Sequence, residues 1–241
     1  MREEFIREAM LFGEDAPERL AECRVAVFGL GGVGSWTAEA LARSAVGAID
    51  LIDNDVVAPS NINRQLPALH STVGRPKTQV MAERLRDINP DISIKTHDIF
   101  ILPGQTGDID FSAFDYVVDA IDTVSGKLEI IQRCAASGTP VISSMGTGNK
   151  TDPSRLCVTD ITKTHTCPLA RVIRLECRKR GIKKLKVVYS EEKAATPFFF
   201  PPDSAGQKKR PPASSAFVPP SAGLLLAREV VISLLDLTAR N

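Results

Sequence analysis

The stretch "VAVFGLGGVGSWTAEALARSAVGAIDLIDNDVVAPSNINRQ", residues 25–65, decides the fold. It opens inside an apolar run, "RVAVFG" (24–29), that reads as a buried strand. "VGSWTAEALARSAV" (33–46) has helical spacing, with Val33, Trp36, Ala40 and Leu41 on one side. "AIDLID" (48–53) reads as a second strand. Between the first strand and the helix, Gly29, Gly31 and Gly34 form GxGxxG, with Gly32 inside the same turn. Such glycines permit a tight turn and close approach of phosphate to backbone, while the helix N-terminus supplies N–H groups and a positive dipole end. Asp53 ends the second strand, 19 residues after Gly34, where a carboxylate takes ribose hydroxyls; Asp55 follows in the same acidic turn. This cradle suits an adenosine ligand and leaves NAD and ATP both open. The tail "SNINRQ" (60–65) has no job in a dehydrogenase.

Outward from this stretch, strands keep alternating with helices. "KTQVMAERLRDIN" (77–89) carries Met81, Leu85 and Ile88 on one stripe and stops at Pro90. "ISIKTHD" alternates as a third strand, and "FDYVVDAID" (114–122) is a fourth that ends in acids. "GKLEIIQRCAASG" is a helix closed by Gly138, and "PVISSMG" (140–146) a fifth strand. The pattern predicts a doubly wound, Rossmann-like, mostly parallel α/β sheet with helices on both faces. Residues 3–12 read as one short helix before it. We place an ATP-binding domain at 1–154 and a small C-terminal α+β extension at 155–241, packed on the same domain. The extension holds a strand "RLCVTDI", a helix "PLARVIRLECRKRG" (168–181) and a strand "KVVYSEE". A Pro-rich loop expected to be mobile (195–215) and a helix from Ala222 to Ala239 complete it.

The longer pattern "GLGGVGS…LIDNDVVAPSNINRQ…VGRPKTQV…INP…VVDAIDT" resembles the E1-like ATP-dependent activating family, of the ubiquitin-activating and ThiF/MoeB/HesA type. That family adenylates a carboxylate. The resemblance implies that Asn61, Arg64, Gln65 and Lys77 surround the ATP phosphates. It implies that Asp122 holds Mg²⁺ and that Arg7 reaches across a homodimer to the partner's ATP. The residue types suit the chemistry. A carboxylate attacks the α-phosphate and pyrophosphate leaves, so negative charge accumulates on oxygen and positioned cations offset it. Arg offers a planar fork to phosphate and Lys a compact charge.

The C-terminal third, "DITKTHTCPLARVIRLECRKRGIKKLKVVYSEEKA" and "SSAFVPPSAGLLLAREVV", is similar to the tRNA threonylcarbamoyladenosine dehydratase branch. That resemblance implies ATP-dependent loss of water from the threonylcarbamoyl group on adenosine 37 of tRNA, with no enzyme thiol. Cys167 stands before "PLAR" where the branch has an acidic residue. Alternatives stay open: an adenylyltransferase for a sulfur-carrier or ubiquitin-like protein, a non-catalytic nucleotide or RNA-binding module, and, more weakly, an NAD dehydrogenase. The sulfur-carrier enzymes usually hold zinc through two CxxC pairs, and this chain has none. A monovalent cation and a docking sulfur-transfer protein are further partners the resemblance leaves open.

Charge suits either an RNA partner or a solvated basic helix face. Residues 1–164 hold 16 Lys and Arg against 23 Asp and Glu; residues 165–241 hold 14 against 6. A basic end on an acidic domain suits a polyanion. Arg174, Arg178, Lys179, Arg180, Lys183, Lys184 and Lys186 are the expected phosphate contacts, with "QKKR" (207–210) as an addition. Aromatics for base stacking are scarce; Tyr189 and Phe198–Phe200 are the candidates, and core packing explains the Phe run equally well. His70, His97 and His165 receive no role. Five cysteines with no close pair, no membrane-length apolar run and a charged N-terminus fit a cytoplasmic protein.

Overall fold

The computed structural model describes residues 2–200 and 211–237. Among the described residues, seven strands form one sheet: β1 (Arg24–Phe28), β2 (Ala48–Ile52), β3 (Ser93–His97), β4 (Tyr116–Asp119), β5 (Val141–Ser144), β6 (Leu156–Asp160) and β7 (Lys186–Ser190). Their spatial order is β3-β2-β1-β4-β5-β7-β6, parallel except for the β6–β7 pair. The helices are α1 (Ile6–Phe12), α2 (Ala16–Ala21), α3 (Gly34–Arg43), α4 (Lys77–Ile88), α5 (Val124–Ser137), α6 (Pro168–Lys179) and α7 (Val218–Leu234).

β1 is apolar from Val25 to Phe28 because it is central. β2 and β4 flank it, helices cover both faces, and all four side chains are buried. One core layer joins Val25, Val27, Ile49, Leu51 and Val118 of the sheet to α3, α4 and α7. On the opposite face, Ala26, Phe28, Ile52 and Val117 pack with Ile130 and Cys134 of α5, and α6 covers Val187 and Tyr189. The expected 154/155 boundary falls between β5 and β6, yet β7 pairs with β5 and α7 packs on α3. The extension thus completes the sheet and the core.

Several expected spans differ. The N-terminal helix is a 3-10 turn (Glu3–Phe5) followed by α1, and α2 has no counterpart in the sequence reading. The fourth strand ends at Asp119, three residues before Asp122. α7 begins at Val218, with Pro219 and Pro220 in its first turn, where a missing N–H costs nothing. The expected end of that helix, at Ala239, and the "QKKR" of the Pro-rich loop lie outside the described residues.

Candidate active site

The strand order reverses at β1 and β4, which places a crevice at their carboxyl ends. The glycine turn fills it. Gly29 has φ +88°, and a Cβ there would lie 2.9 Å from the Ala120 backbone. A Cβ on Gly34 would lie 1.8 Å from the Gly29 carbonyl, so α3 can start only where it does if residue 34 is glycine. The N–H groups of Gly31, Gly32 and Val33 have no acceptor among the described residues. They head α3, as an anion site requires.

Asp53 turns back over this loop. Its Oδ2 accepts from the Leu30 N–H at 2.6 Å and its Oδ1 from the Asp55 N–H at 2.8 Å. Burial pushes its carboxyl above the ordinary aspartate value, and Lys77 pulls the other way. Lys77 is itself buried at the first position of α4, and its Nζ donates to Asp55 Oδ2 at 2.7 Å. Lys77 thus joins Asp53 and Asp55 at the rim of the cradle.

"SNINRQ" runs from a 3-10 turn (Pro59–Asn61) into a further turn over the same rim. Asn61 Oδ1 caps it by accepting from the Ala58 N–H, and its carbonyl accepts from the Arg64 and Gln65 N–H groups. Arg64 lies against the turn: its Cγ is 3.3 Å from where a Gly32 Cβ would stand. Among the described residues the half-buried guanidinium has only neutral acceptors, Ser60 O at 2.9 Å and Asn63 Oδ1 at 2.8 Å, and burial pulls its pKa below the ordinary value. A desolvated cation without a carboxylate is one that an anion would relieve. The Gln65 amide reaches to 3.8 Å of the Gly31 Cβ position, and its buried Oε1 has no partner among the described residues. An orphaned acceptor over a glycine turn fits a nucleotide donor.

Asp122 is exposed in the loop after β4, beside the glycine turn. Beneath that loop lies a feature the sequence reading missed. Lys127 and Asp119 are fully buried, with Lys127 Nζ 3.1 and 3.2 Å from the two carboxylate oxygens. Nζ also donates to Ser144 O at 2.7 Å, and Ser143 Oγ donates to Asp119 Oδ2 at 2.6 Å. The network ties α5, β4 and β5 together under residues 120–123.

The remaining expected residues lie elsewhere. Arg7 is exposed on α1. Neighbouring contacts, Arg2 to Asn89 at 2.6 Å and Gly47 N–H to Leu20 O at 3.0 Å, put this segment at the amino ends of β2 and β3. It is therefore remote from the glycine turn of its own chain. The basic set is also dispersed. Arg174 donates to Thr164 O and Oγ1, Lys179 and Arg180 both pair with Glu176, and Lys186 pairs with Glu229. Arg178, Lys183 and Lys184 keep unpaired side chains among the described residues, at the end of α6 that leads into the amino end of β7. All five thiols are unpaired, and Cys167 is buried at the N-cap of α6. No described helix is long and apolar enough to cross a membrane.

The crevice, the glycine turn and the polar side chains above it define a Rossmann-like nucleotide-binding fold. The chain belongs to the ThiF family, whose profile matches residues 5–240. Within it the chain falls with proteins named tRNA threonylcarbamoyladenosine dehydratase. The one from Bacillus subtilis is 46% identical over 193 residues, 80% of this chain and 76% of that protein. The one from Escherichia coli is 43% identical over 173 residues, 72% of this chain and 65% of that protein. The crystal structure of the E. coli enzyme with AMP superposes with a TM-score of 0.89 at 35% identity, covering 100% of this chain and 97% of that one. The same enzyme with ATP gives 0.85 at 34%, again over 100% and 97%. Similarity to the E. coli sulfur carrier protein ThiS adenylyltransferase is 34% over 134 residues, 56% of this chain and 53% of that protein.

Proposed function

We infer that this protein is an ATP-dependent enzyme that dehydrates threonylcarbamoyladenosine at position 37 of tRNA by adenylating its carboxylate. The observation that carries the reading is the cation-capped glycine turn, in a chain alignable end to end with a dehydratase crystallised with AMP. Asp53 takes the ribose hydroxyls. The N–H groups at the start of α3 take phosphate oxygens, and Lys77, Arg64 and Asn61 face the triphosphate. The substrate carboxylate attacks the α-phosphorus and pyrophosphate leaves. A nucleophile within the same side chain then attacks the acyl carbon, AMP departs with one carboxylate oxygen, and a ring closes. The net change is loss of water from the nucleoside.

The described residues include no cluster of three or more His, Cys, Asp or Glu that could hold a metal. Mg²⁺ needs none, since it is usually held by one or two carboxylates together with substrate phosphates. Asp122, exposed beside the turn, supplies such a carboxylate, and Mg²⁺ bound there would neutralise charge on the phosphates. A monovalent cation has no such assigned ligand here. Arg7, remote from its own crevice, acts in a homodimer on the partner's nucleotide.

The test is mass spectrometry of nucleosides from threonylcarbamoyladenosine-containing tRNA after incubation with the protein, Mg²⁺ and ATP. Loss of one water only when ATP is present is the expected result. An unchanged nucleoside, with ATP–pyrophosphate exchange appearing only on adding a carrier protein ending in Gly-Gly, would replace this reading with sulfur-carrier activation and give a sulfur-transfer partner its place.

A further inference from the structure

Ala195, after β7, and Ala213, before α7, both bond to a single residue, Asn149. The Ala195 N–H donates to the Asn149 carbonyl, the Asn149 N–H donates to the Ala213 carbonyl, and the Ala213 N–H donates to Asn149 Oδ1, each at 2.7 Å. Asn149 adopts φ +58°, a left-handed conformation that Asn tolerates better than most residues. Both arms have a second fastening. On the outgoing side the Glu192 carboxylate accepts from the Thr151 N–H at 2.9 Å and the Asp152 N–H at 3.0 Å. On the returning side Asn63 Nδ2 donates to the Ser214 carbonyl at 2.9 Å.

These fastenings join the arm to the active site. Asn149 follows β5, and Asn63 belongs to "SNINRQ", where its Oδ1 accepts from Arg64 at 2.8 Å. Past the outgoing fastening come three consecutive phenylalanines. Phe198 is 107% exposed and Phe199 78%. Core packing therefore does not explain Phe198 and Phe199. Large apolar groups left in water on a rooted arm mark an interaction surface. Nearby side chains favour a polyanion: Lys193, on the outgoing arm, and Arg171, in the open cleft lined by His165, Cys167 and Leu175, have no carboxylate partner among the described residues. His165 links that cleft to the arm, with Nε2 3.2 Å from Glu191.

We propose that Phe198 and Phe199 are a stacking platform for the unstacked bases flanking the modified adenosine, held beside the activation site by the Asn149 fastening. This rests on the tRNA reading above. Splayed loop bases are recognised by aromatic stacking, and flat side chains suit any base. The two residues position substrate and do not touch the reacting atoms.

The experiment compares wild type, Phe198→Ala/Phe199→Ala and Phe198→Tyr/Phe199→Trp. Nucleoside mass spectrometry gives KM for modified tRNA, KM for ATP and kcat. Fluorescence anisotropy gives the affinity for the unmodified tRNA at several salt concentrations. The alanine variant is expected to raise KM for tRNA, and weaken binding, roughly 5-fold or more. Its kcat at saturating tRNA, KM for ATP, thermal midpoint and salt slope stay unchanged, because stacking releases no counterions. The aromatic variant restores wild-type values. An alanine variant that binds tRNA as wild type does, or loses only kcat, overturns the proposal. Binding is measured without turnover. If wild type leaves the nucleoside unchanged, the dehydratase reading fails, and the binding comparison still decides the platform.

Discussion

Lys77 sits between two carboxylates that it affects differently. It donates directly to Asp55 at 2.7 Å, and it pulls down the pKa of Asp53, which burial pushes up. For folding, the sign is the reverse of an aspartate whose pKa folding lowers. A raised carboxyl contributes stability below its ordinary value, and that contribution is lost as pH rises through the raised one. For binding, the ionised form gives the stronger bond to ribose hydroxyls. Adenosine affinity should therefore fall as pH drops through the Asp53 midpoint, above that of an unperturbed aspartate. In Lys77→Met the restraint on Asp53 is gone, so the fall should begin at a higher pH. If Lys77 faces the ATP phosphates as proposed, ATP–pyrophosphate exchange should drop about 10²- to 10³-fold. Calorimetric titration with adenosine across pH isolates the first effect, because adenosine carries no phosphate that titrates. A midpoint that does not move would show that Asp53 does not feel Lys77.

At the scale of elements, the Asp119–Lys127 pair joins β4, β5 and α5 beneath the Asp122 loop. Lys127→Met leaves an unpaired buried carboxylate and should cost about 3–5 kcal/mol in denaturant unfolding. Lys127→Met with Asp119→Leu removes both charges and should recover most of that stability. If the pair also positions Asp122, the double variant stays slow in nucleotide activation although it is stable. A double variant as active as wild type would make the pair purely structural. None of this pair is legible in sequence, since a Lys eight residues after an Asp does not announce that both are buried. What is legible has local periodicity: the apolar run of β1, the GxGxxG turn and the stripes of α3 and α4. The misplaced boundaries have local causes too. Asp119 turns toward Lys127, and its Oδ1 accepts from the Ile121 N–H at 3.3 Å, which bends the chain out of β4 before Asp122. The prolines opening α7 look like breakers in sequence, yet they occupy the turn where Pro fits.

For the whole molecule, direction decides what the basic residues can do. β7 runs parallel to β5, so the Arg178–Lys186 region opens it at the amino edge of the sheet, while Gly29, Asn149 and the Phe arm lie at the carboxyl edge. α6 connects the two edges, and its 12 residues span about 18 Å. The sequence shows a basic cluster but not that Glu176 and Glu229 neutralise part of it, nor which edge it occupies. A tRNA whose adenosine 37 meets the glycine crevice reaches Arg178, Lys183 and Lys184 only if its stem follows the outer face of α6. Replacing those three with alanine should then weaken tRNA binding uniformly across sequences. It should also flatten the plot of log affinity against log salt by roughly one unit for each phosphate left without its cation. ATP affinity should not change, because the crevice lies at the other edge. Arg171→Ala, near the carboxyl edge, provides the contrast. If it alone flattens the salt dependence and the triple variant binds tRNA as wild type does, the stem does not follow α6, and the basic end of the chain serves solubility.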